Sequence, residues 1–310
     1  MAVTAYETVT LSSVHGFLKR KETAVKSCPK VVSYTHDTGR GPVLMLVHGY
    51  PQSSFQWRHL PGYGISSPPV EEPIQCATMG EPLIHACMEL FPGRDMIFGG
   101  HDRGARVCHR ITLENAHWPD APKVKLLGCV LLDIVPNLEQ WKVFANPKAA
   151  VAYFHWPMLA SPLAVPLMEA FGGDKMTHAG LDRISGGNEE ARARFQSDRS
   201  WDVYKSLYAR RETIQGSAAD YNAGAMIEPD LQVEDQKAGR RIEVPTLVAW
   251  STRGLGSMHG DVGKIWEDWV KDGQPLMKVP CGDDVGHYLP EEASDLIARK
   301  IVEFLDSIGV

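Results

Sequence analysis

The chain has no basic run longer than Lys19-Arg20-Lys21, and its formal charge is -6 over 310 residues, so it carries no electrostatic footprint for nucleic acid. It has no apolar stretch approaching the roughly 20 residues that a membrane span requires. Its start, Met1 to Ser13, lacks a charged segment followed by an apolar one, so neither export nor membrane anchoring is expected. Cysteine is sparse: Cys28, Cys76, Cys87, Cys108, Cys129 and Cys281 form no CxxC pair and no dense framework. They read as reduced, buried thiols, which places the protein in the cytoplasm. Internal repeats and low-complexity tracts are also lacking, and the histidines near Asp102 do not have metal-ligand spacing.

What is present is an ordinary globular composition, 44% hydrophobic, long enough for one large α/β domain with an insertion or for two domains. Continuous apolar runs suited to strands buried on both faces occur at Val43 to Val47, Asp95 to Phe98, Leu126 to Leu132 and Thr246 to Trp250, and Leu276 to Val279 is a last strand signal. Helix-like segments alternate with them, which predicts a mainly parallel, doubly wound sheet. Glu7 to Leu11 alternates and is read as an edge strand with Val31 to Tyr34 as its partner. Between residues 137 and 236 the alternation stops. That stretch, rich in Trp, Tyr, Met and Ala, is read as a helical cap inserted between core segments 1–136 and 237–310. Glu291 to Ile308 has the spacing of a terminal amphipathic helix.

Organisation centres on Phe98-Gly99-Gly100-His101-Asp102-Arg103-Gly104-Ala105-Arg106. Read as strand, turn and helix, it has the glycine spacing of a nucleophile elbow, with Asp102 where G-x-S-x-G hydrolases carry serine. The plain alternative is an aspartate N-cap between glycines. His48-Gly49, Asp102, Asp133 and the Ser251 loop all fall at carboxyl ends of strands, where ligands bind in such sheets. A carboxylate nucleophile that displaces a leaving group from saturated carbon forms an alkyl ester, which water can then hydrolyse; a serine would leave an inert ether. The residue type therefore points to halide or epoxide chemistry.

The second step needs a base. His287, after the last strand signal, fits the chain order nucleophile, acid, histidine. The acid that orients it is expected at Asp133, directly after Leu132, because no acid follows Trp250 until Asp261. A cap next to Pro136 is the plain alternative for Asp133.

Val47-His48-Gly49-Tyr50-Pro51-Gln52, Pro61-Gly62-Tyr63-Gly64, Gly100 to Arg106, and Leu132-Asp133-Ile134-Val135-Pro136 together resemble the α/β-hydrolase superfamily. More narrowly they are similar to its haloacetate (fluoroacetate) dehalogenase and epoxide hydrolase branch. Phe154-His155-Trp156, Tyr221 and Gly286-His287 extend the resemblance over nearly the whole chain. It implies an α/β-hydrolase fold, no cofactor, a small-molecule substrate and a homodimer. It further implies an oxyanion hole from the amides near Tyr50 and of Arg103, and a clamp of Arg103 and Arg106 on the carboxylate of a haloacid. His155, Trp156 and Tyr221 would donate to the departing halide. Against these stand a solvated face for Arg106 and Arg110, and simple packing for the aromatics. Epoxide hydrolases of the branch use cap tyrosines, for which Tyr153, Tyr204, Tyr208 and Tyr221 are available, although twin arginines suit an anion better.

The chain departs from the pattern between Pro51 and Pro61, where Gln52 to Leu60 leaves no room for a helix and strand. The sheet is therefore expected to lack one inner helix–strand unit and to carry unpaired edges. A non-catalytic binding protein is the reading that follows if the shortened core has cost the site its function.

Overall fold

The computed structural model describes residues 4–59, 75–115 and 124–310. Its centre is a five-stranded parallel sheet of β3 (Val43–Val47), β4 (Met96–His101), β5 (Leu126–Leu132), β6 (Thr246–Trp250) and β7 (Leu276–Pro280), paired in that order. These are the four apolar runs and the last strand signal of the sequence. The period of two decides where each side chain goes. In β5, Cys129 and Leu131 join a cluster with Phe98, Cys108, Ile111 and Trp266 on one face. Val130 and Leu132 join Ile97, Leu247, Ile297, Ile301 and Phe304 on the other. Each fully buried aliphatic contributes about 1.5–3 kcal/mol, so the doubly covered central strands anchor the fold.

Before the sheet come two one-turn helices, α1 (Ala5–Thr8) and α2 (Leu11–Val14), and an antiparallel pair, β1 (Lys19–Val25) with β2 (Cys28–Thr35). The expected edge strand at Glu7 to Leu11 is thus corrected. Thr4 and Glu7 form a reciprocal capping box that starts a helix there, and Thr10 with Ser13 starts the next. The partner of Val31 to Tyr34 is β1, whose mostly exposed residues hid its period.

The expected shortening has a clear outcome. β1 and β2 form a sheet of their own, and among the described residues no strand pairs with β3 on the side away from β4. Pro61 to Gly64 lies outside the described residues. Helix α3 (Cys76–Leu90) packs on α4 (Arg103–Glu114) and touches the β1–β2 pair.

From β5 to β6 the described elements are helical: α5 (Asn137–Lys142), α6 (Pro147–Ala152), α7 (His155–Ala160), α8 (Ala164–Phe171), α9 (Gly173–Ile184), α10 (Glu189–Gln196), α11 (Ser200–Tyr208), α12 (Arg211–Met226) and α13 (Glu228–Lys237), with short 3-10 turns. This insertion shares a core cluster with Leu18, Val32, Tyr34 and Phe55. After β6 come α14 (Ser257–His259) and α15 (Val262–Glu267), and after β7 the chain ends in α16 (Leu289–Glu292) and α17 (Ser294–Ser307). Among the described residues no helix is long and apolar enough to cross a membrane.

Candidate active site

The parallel register brings the strand ends together: Val47 lies beside Gly100, His101 beside Leu132, and Leu132 beside Ala249. Directly beyond them sit Asp102, Asp133 and Ser251. Asp102 has φ 48° and ψ -122°, a region costly for any residue with a Cβ, between β4 and α4. The turn is tight enough to need both flanking glycines. A Cβ on Gly100 would lie 2.5 Å from the carbonyl carbon of Gly104, and one on Gly104 would lie 2.4 Å from the carbonyl oxygens of Val47 and His48. Asp102 makes no side-chain cap bond to α4. Its Oδ2 accepts from the Tyr50 backbone N–H at 2.9 Å instead, so the capping alternative is set aside.

Asp133, also at positive φ (53°), accepts from the Ser251 N–H (2.7 Å) and hydroxyl (2.9 Å) on Oδ1. Its Oδ2 is 2.6 Å from His287 Nδ1. The other ring nitrogen, Nε2, is 3.9 Å from Asp102 Oδ1. His287 is fixed through its backbone as well: its N–H donates to Ile184 O (3.0 Å), and its carbonyl is 2.8 Å from His101 Nε2. Burial pulls the His287 pKa down, but the bond and charge of Asp133, with Asp102 adding, outweigh it and raise the imidazole above its ordinary value. Burial likewise pushes Asp102 up, yet the charges of His287 and Arg106 leave it below the usual carboxylate value. Asp102 is held as an anion next to the His287 imidazole.

These residues line a cavity of about 450 Å³ shared with the insertion, to which Tyr153, His155, Trp156 and Tyr221 contribute. His155 is kept neutral, its pKa pulled down to about 3 by burial and by Arg183. Arg183 Nη2 lies 3.4 Å from His155 Nδ1, which leaves the hydrogen on Nε2. Burial raises the Tyr221 phenol far above its ordinary value, so it remains a donor. Tyr221 also packs edge-on against Tyr50 and Trp156. The packing reading of these aromatics therefore holds alongside their position on the cavity wall.

The two arginines separate. Arg106 is buried and on the cavity wall, its Nη1 donating to Val135 O (2.6 Å) and Asn137 Oδ1 (2.8 Å), its Nε without a partner, and its guanidinium 4.6 Å from the Trp156 ring centre. Burial and then Arg103 lower its pKa to about 10, and it stays a cation. Arg103 points elsewhere. Its Nε and Nη2 each lie 2.6 Å from a different oxygen of the Asp220 carboxylate. Its Nη1 is buried without a hydrogen-bond partner, and its guanidinium lies 4.9 Å from the Tyr221 ring centre and 5.6 Å from that of Trp156, so it packs against two cavity-lining rings while Arg106 lines the cavity itself. Nor are Arg106 and Arg110 a solvated face: Arg110 is buried against Glu228 and Asp235.

Sequence reasoning missed Asp220 as the partner of Arg103, Ser251 as the donor pair on Asp133, Arg183 as the partner of His155, and Gln140 on the cavity wall. Of these, the sequence singled out the Ser251 loop, as a strand end, and Asp220, beside Tyr221, without giving either its partner. Among the described residues no group of three or more His, Cys, Asp and Glu is placed to hold a metal ion.

No protein-family model matches the chain. It is 28% identical over 288 residues to a fluoroacetate dehalogenase from a Burkholderia species, covering 86% of this chain and 88% of the relative. Among solved structures it resembles a candidate α/β hydrolase from Nostoc sp. PCC 7120, with 26% identity, TM-score 0.77, and 93% and 98% of the two chains covered. It also resembles a single-substitution variant of a candidate epoxide hydrolase from Pseudomonas aeruginosa, with 24% identity, TM-score 0.79, and 94% and 97% covered.

Proposed function

For this hydrolase of the α/β-hydrolase fold, homologous to a fluoroacetate dehalogenase, we propose the hydrolytic removal of halide from a small 2-haloacid through an ester on Asp102. The observation that carries the reading is an anionic Asp102 at the elbow, facing a His287 that Asp133 orients. An Asp102 oxygen attacks the carbon bearing the halogen, the C–O bond forms as the carbon–halogen bond breaks, and halide leaves with the bonding pair. His155 Nε2–H, the Trp156 indole and the Tyr221 hydroxyl receive it. Arg106 pairs with the substrate carboxylate. His287 then takes a proton from water, which attacks the Asp102 carbonyl carbon. The Tyr50 N–H, 2.9 Å from Oδ2, and the Arg103 N–H stabilise the oxyanion. Collapse breaks the ester C–O bond, the departing alkoxide takes the proton held by His287 and leaves as the hydroxyacid, and Asp102 gives its own proton to water and is restored as a carboxylate. Esterification removes the charge of Asp102 that helps hold His287 protonated, so the base is released when it is needed.

Tyr153 and Tyr221 on one cavity wall, both with phenols that burial holds protonated, favour a second reading, the opening of a carboxylate-bearing epoxide. Buried free cysteines fit a reducing compartment, the cytoplasm. One turnover in oxygen-18 water, followed by mass spectrometry of the peptide holding Asp102, tests the ester route for either substrate; an unlabelled carboxylate after product forms rules it out. Halide release from fluoroacetate or chloroacetate, abolished in Asp102→Asn, tests the leaving group. Diol from an epoxy acid with no halide from any haloacid would favour the second reading.

A further inference from the structure

Glu292, in the last turn of α16, is 2% exposed and touches neither the cavity nor the nucleophile, yet its carboxylate is fully engaged. Oε2 accepts from the backbone N–H of Gly286 at 2.9 Å and of Gly186 at 2.7 Å, and Oε1 accepts from the N–H of Tyr288 at 3.0 Å. Two of these donors belong to the residues immediately before and after His287. The third belongs to the insertion, just past α9. The two backbones meet closely there: a Cβ on Gly186 would fall 2.6 Å from the Gly286 nitrogen and 2.8 Å from Glu292 Oε2. The His287 N–H itself donates to Ile184 O on the same insertion segment. One carboxylate thus joins both flanks of the base to the roof of the cavity.

Taking the ester mechanism above as its basis, we propose that Glu292 is a positioning residue that sets His287 for attack by water and does so only while the 184–187 segment of the insertion is seated. The alkylation step needs no base, so it does not depend on this arrangement; ester hydrolysis does. The groups facing His287 are Asp102 and His101 at the β4 end, Asp133 after β5, His155 of α7, Tyr288 next in the chain, and Glu292 itself. Those facing Glu292 are His287 and, from α10, Arg194, whose Nη1 donates to the Glu292 carbonyl at 3.1 Å. Neighbouring Glu291 is taken up by Gln52 and Tyr204.

Glu292→Gln keeps the size of the side chain but has one acceptor oxygen for three N–H donors and turns an N–H toward the rest. The expected result is a folded protein in which halide release still gives a full first turnover. The ester on Asp102 accumulates, and the steady-state rate falls about 10- to 100-fold with KM falling alongside it, because the alkylation step that sets kcat/KM is unaltered. In nitrogen-15 spectra the His287 imidazole titrates at lower pH than in the unaltered chain, because an anion near it is gone. Ester hydrolysis and a His287 titration both matching the unaltered chain would overturn the proposal, and so would equal slowing of both steps with the titration unmoved. If Glu292→Gln does not fold, Gly186→Ala, which must part the two backbones, is expected to show the same selective loss of ester hydrolysis; normal hydrolysis there overturns the proposal. A chain that releases no halide from any haloacid would defeat the dehalogenase reading, and accumulation or not of the Asp102 ester with an epoxy acid as substrate would then decide the role of Glu292.

Discussion

In the proposed ester mechanism, Asp133→Asn isolates the second chemical step. Asparagine tolerates the positive φ of position 133, 53°, better than most residues, so the backbone has little reason to move. Its amide oxygen can keep the Ser251 N–H and hydroxyl that Asp133 Oδ1 now accepts at 2.7 and 2.9 Å. The amide nitrogen then faces His287 Nδ1, where Asp133 Oδ2 now lies at 2.6 Å. An N–H in that place makes Nδ1 an acceptor and puts the hydrogen on Nε2, the nitrogen that must take a proton from water. Two losses combine. A charge-assisted bond to the imidazolium contributes about 1.5–3 kcal/mol, which alone slows hydrolysis about 10- to 150-fold. The wrong tautomer adds to this, and in serine triads the same exchange costs about 10⁴ in kcat.

The alkylation step uses Asp102 alone and should keep its rate within a fewfold. Rapid-quench measurement of halide from chloroacetate should therefore show a burst of one equivalent per site, then a steady state slower by about 10²- to 10⁴-fold. Mass spectrometry of quenched protein should find the ester on Asp102. A burst that disappears, or a steady state equal to that of the unaltered chain, would refute the assignment of Asp133 as the residue that orients His287.

Arg106→Met should raise KM for a haloacid about 10- to 100-fold through loss of a charge-assisted contact, with a smaller effect on kcat, as read from initial rates over a substrate series. An unchanged KM would remove Arg106 from the carboxylate site. The pH dependence should split by step. Hydrolysis requires neutral His287, so its rate should climb with pH through the pKa of His287 in the ester, which lies below the raised value of the free protein because the charge of Asp102 is gone. Alkylation requires ionised Asp102, lowered from 3.8, and should lose rate only below that value in single-turnover assays. A hydrolysis rate with no such limb would mean that His287 is not the base.

The buried strands and the residues directly after them were legible because the same physics governs both. A strand covered on both faces must be apolar throughout, so its last apolar residue marks where a polar site begins: Phe98 and the glycines before Asp102, Leu132 before Asp133, Trp250 before Ser251. The Arg103–Asp220 pair was not legible, because its partners are 117 residues apart and their meeting depends on how α12 lies over α4. Nothing in the Gly100 to Arg106 motif says which arginine turns to the cavity. At the start of the chain a local cue was there to use, since Thr4-x-x-Glu7 is a capping pattern that outweighs the alternation of the residues after it. β1 gave no such cue, because only Thr23 along it is buried.

The shortened core bears on stability more than on chemistry. Each group that shapes the elbow comes from the ends of β3 to β6 or from His287: the Val47 and His48 carbonyls against Gly104, the Tyr50 N–H on Asp102, and the Ser251 donors on Asp133. Among the described residues none comes from the β1–β2 pair or from the far side of β3. The consequence falls on β3, where every other peptide group points away from β4 and has no strand partner among the described residues. A buried peptide group left unpaired costs about 1–3 kcal/mol, and one open to water exchanges its hydrogen early. Hydrogen exchange should therefore be faster at Leu44 to Val47 than at Cys129 to Leu132, which has neighbours on both sides, while peptides around Asp102 stay protected. Equal protection of β3 and β5 would mean that the free side of β3 is covered after all.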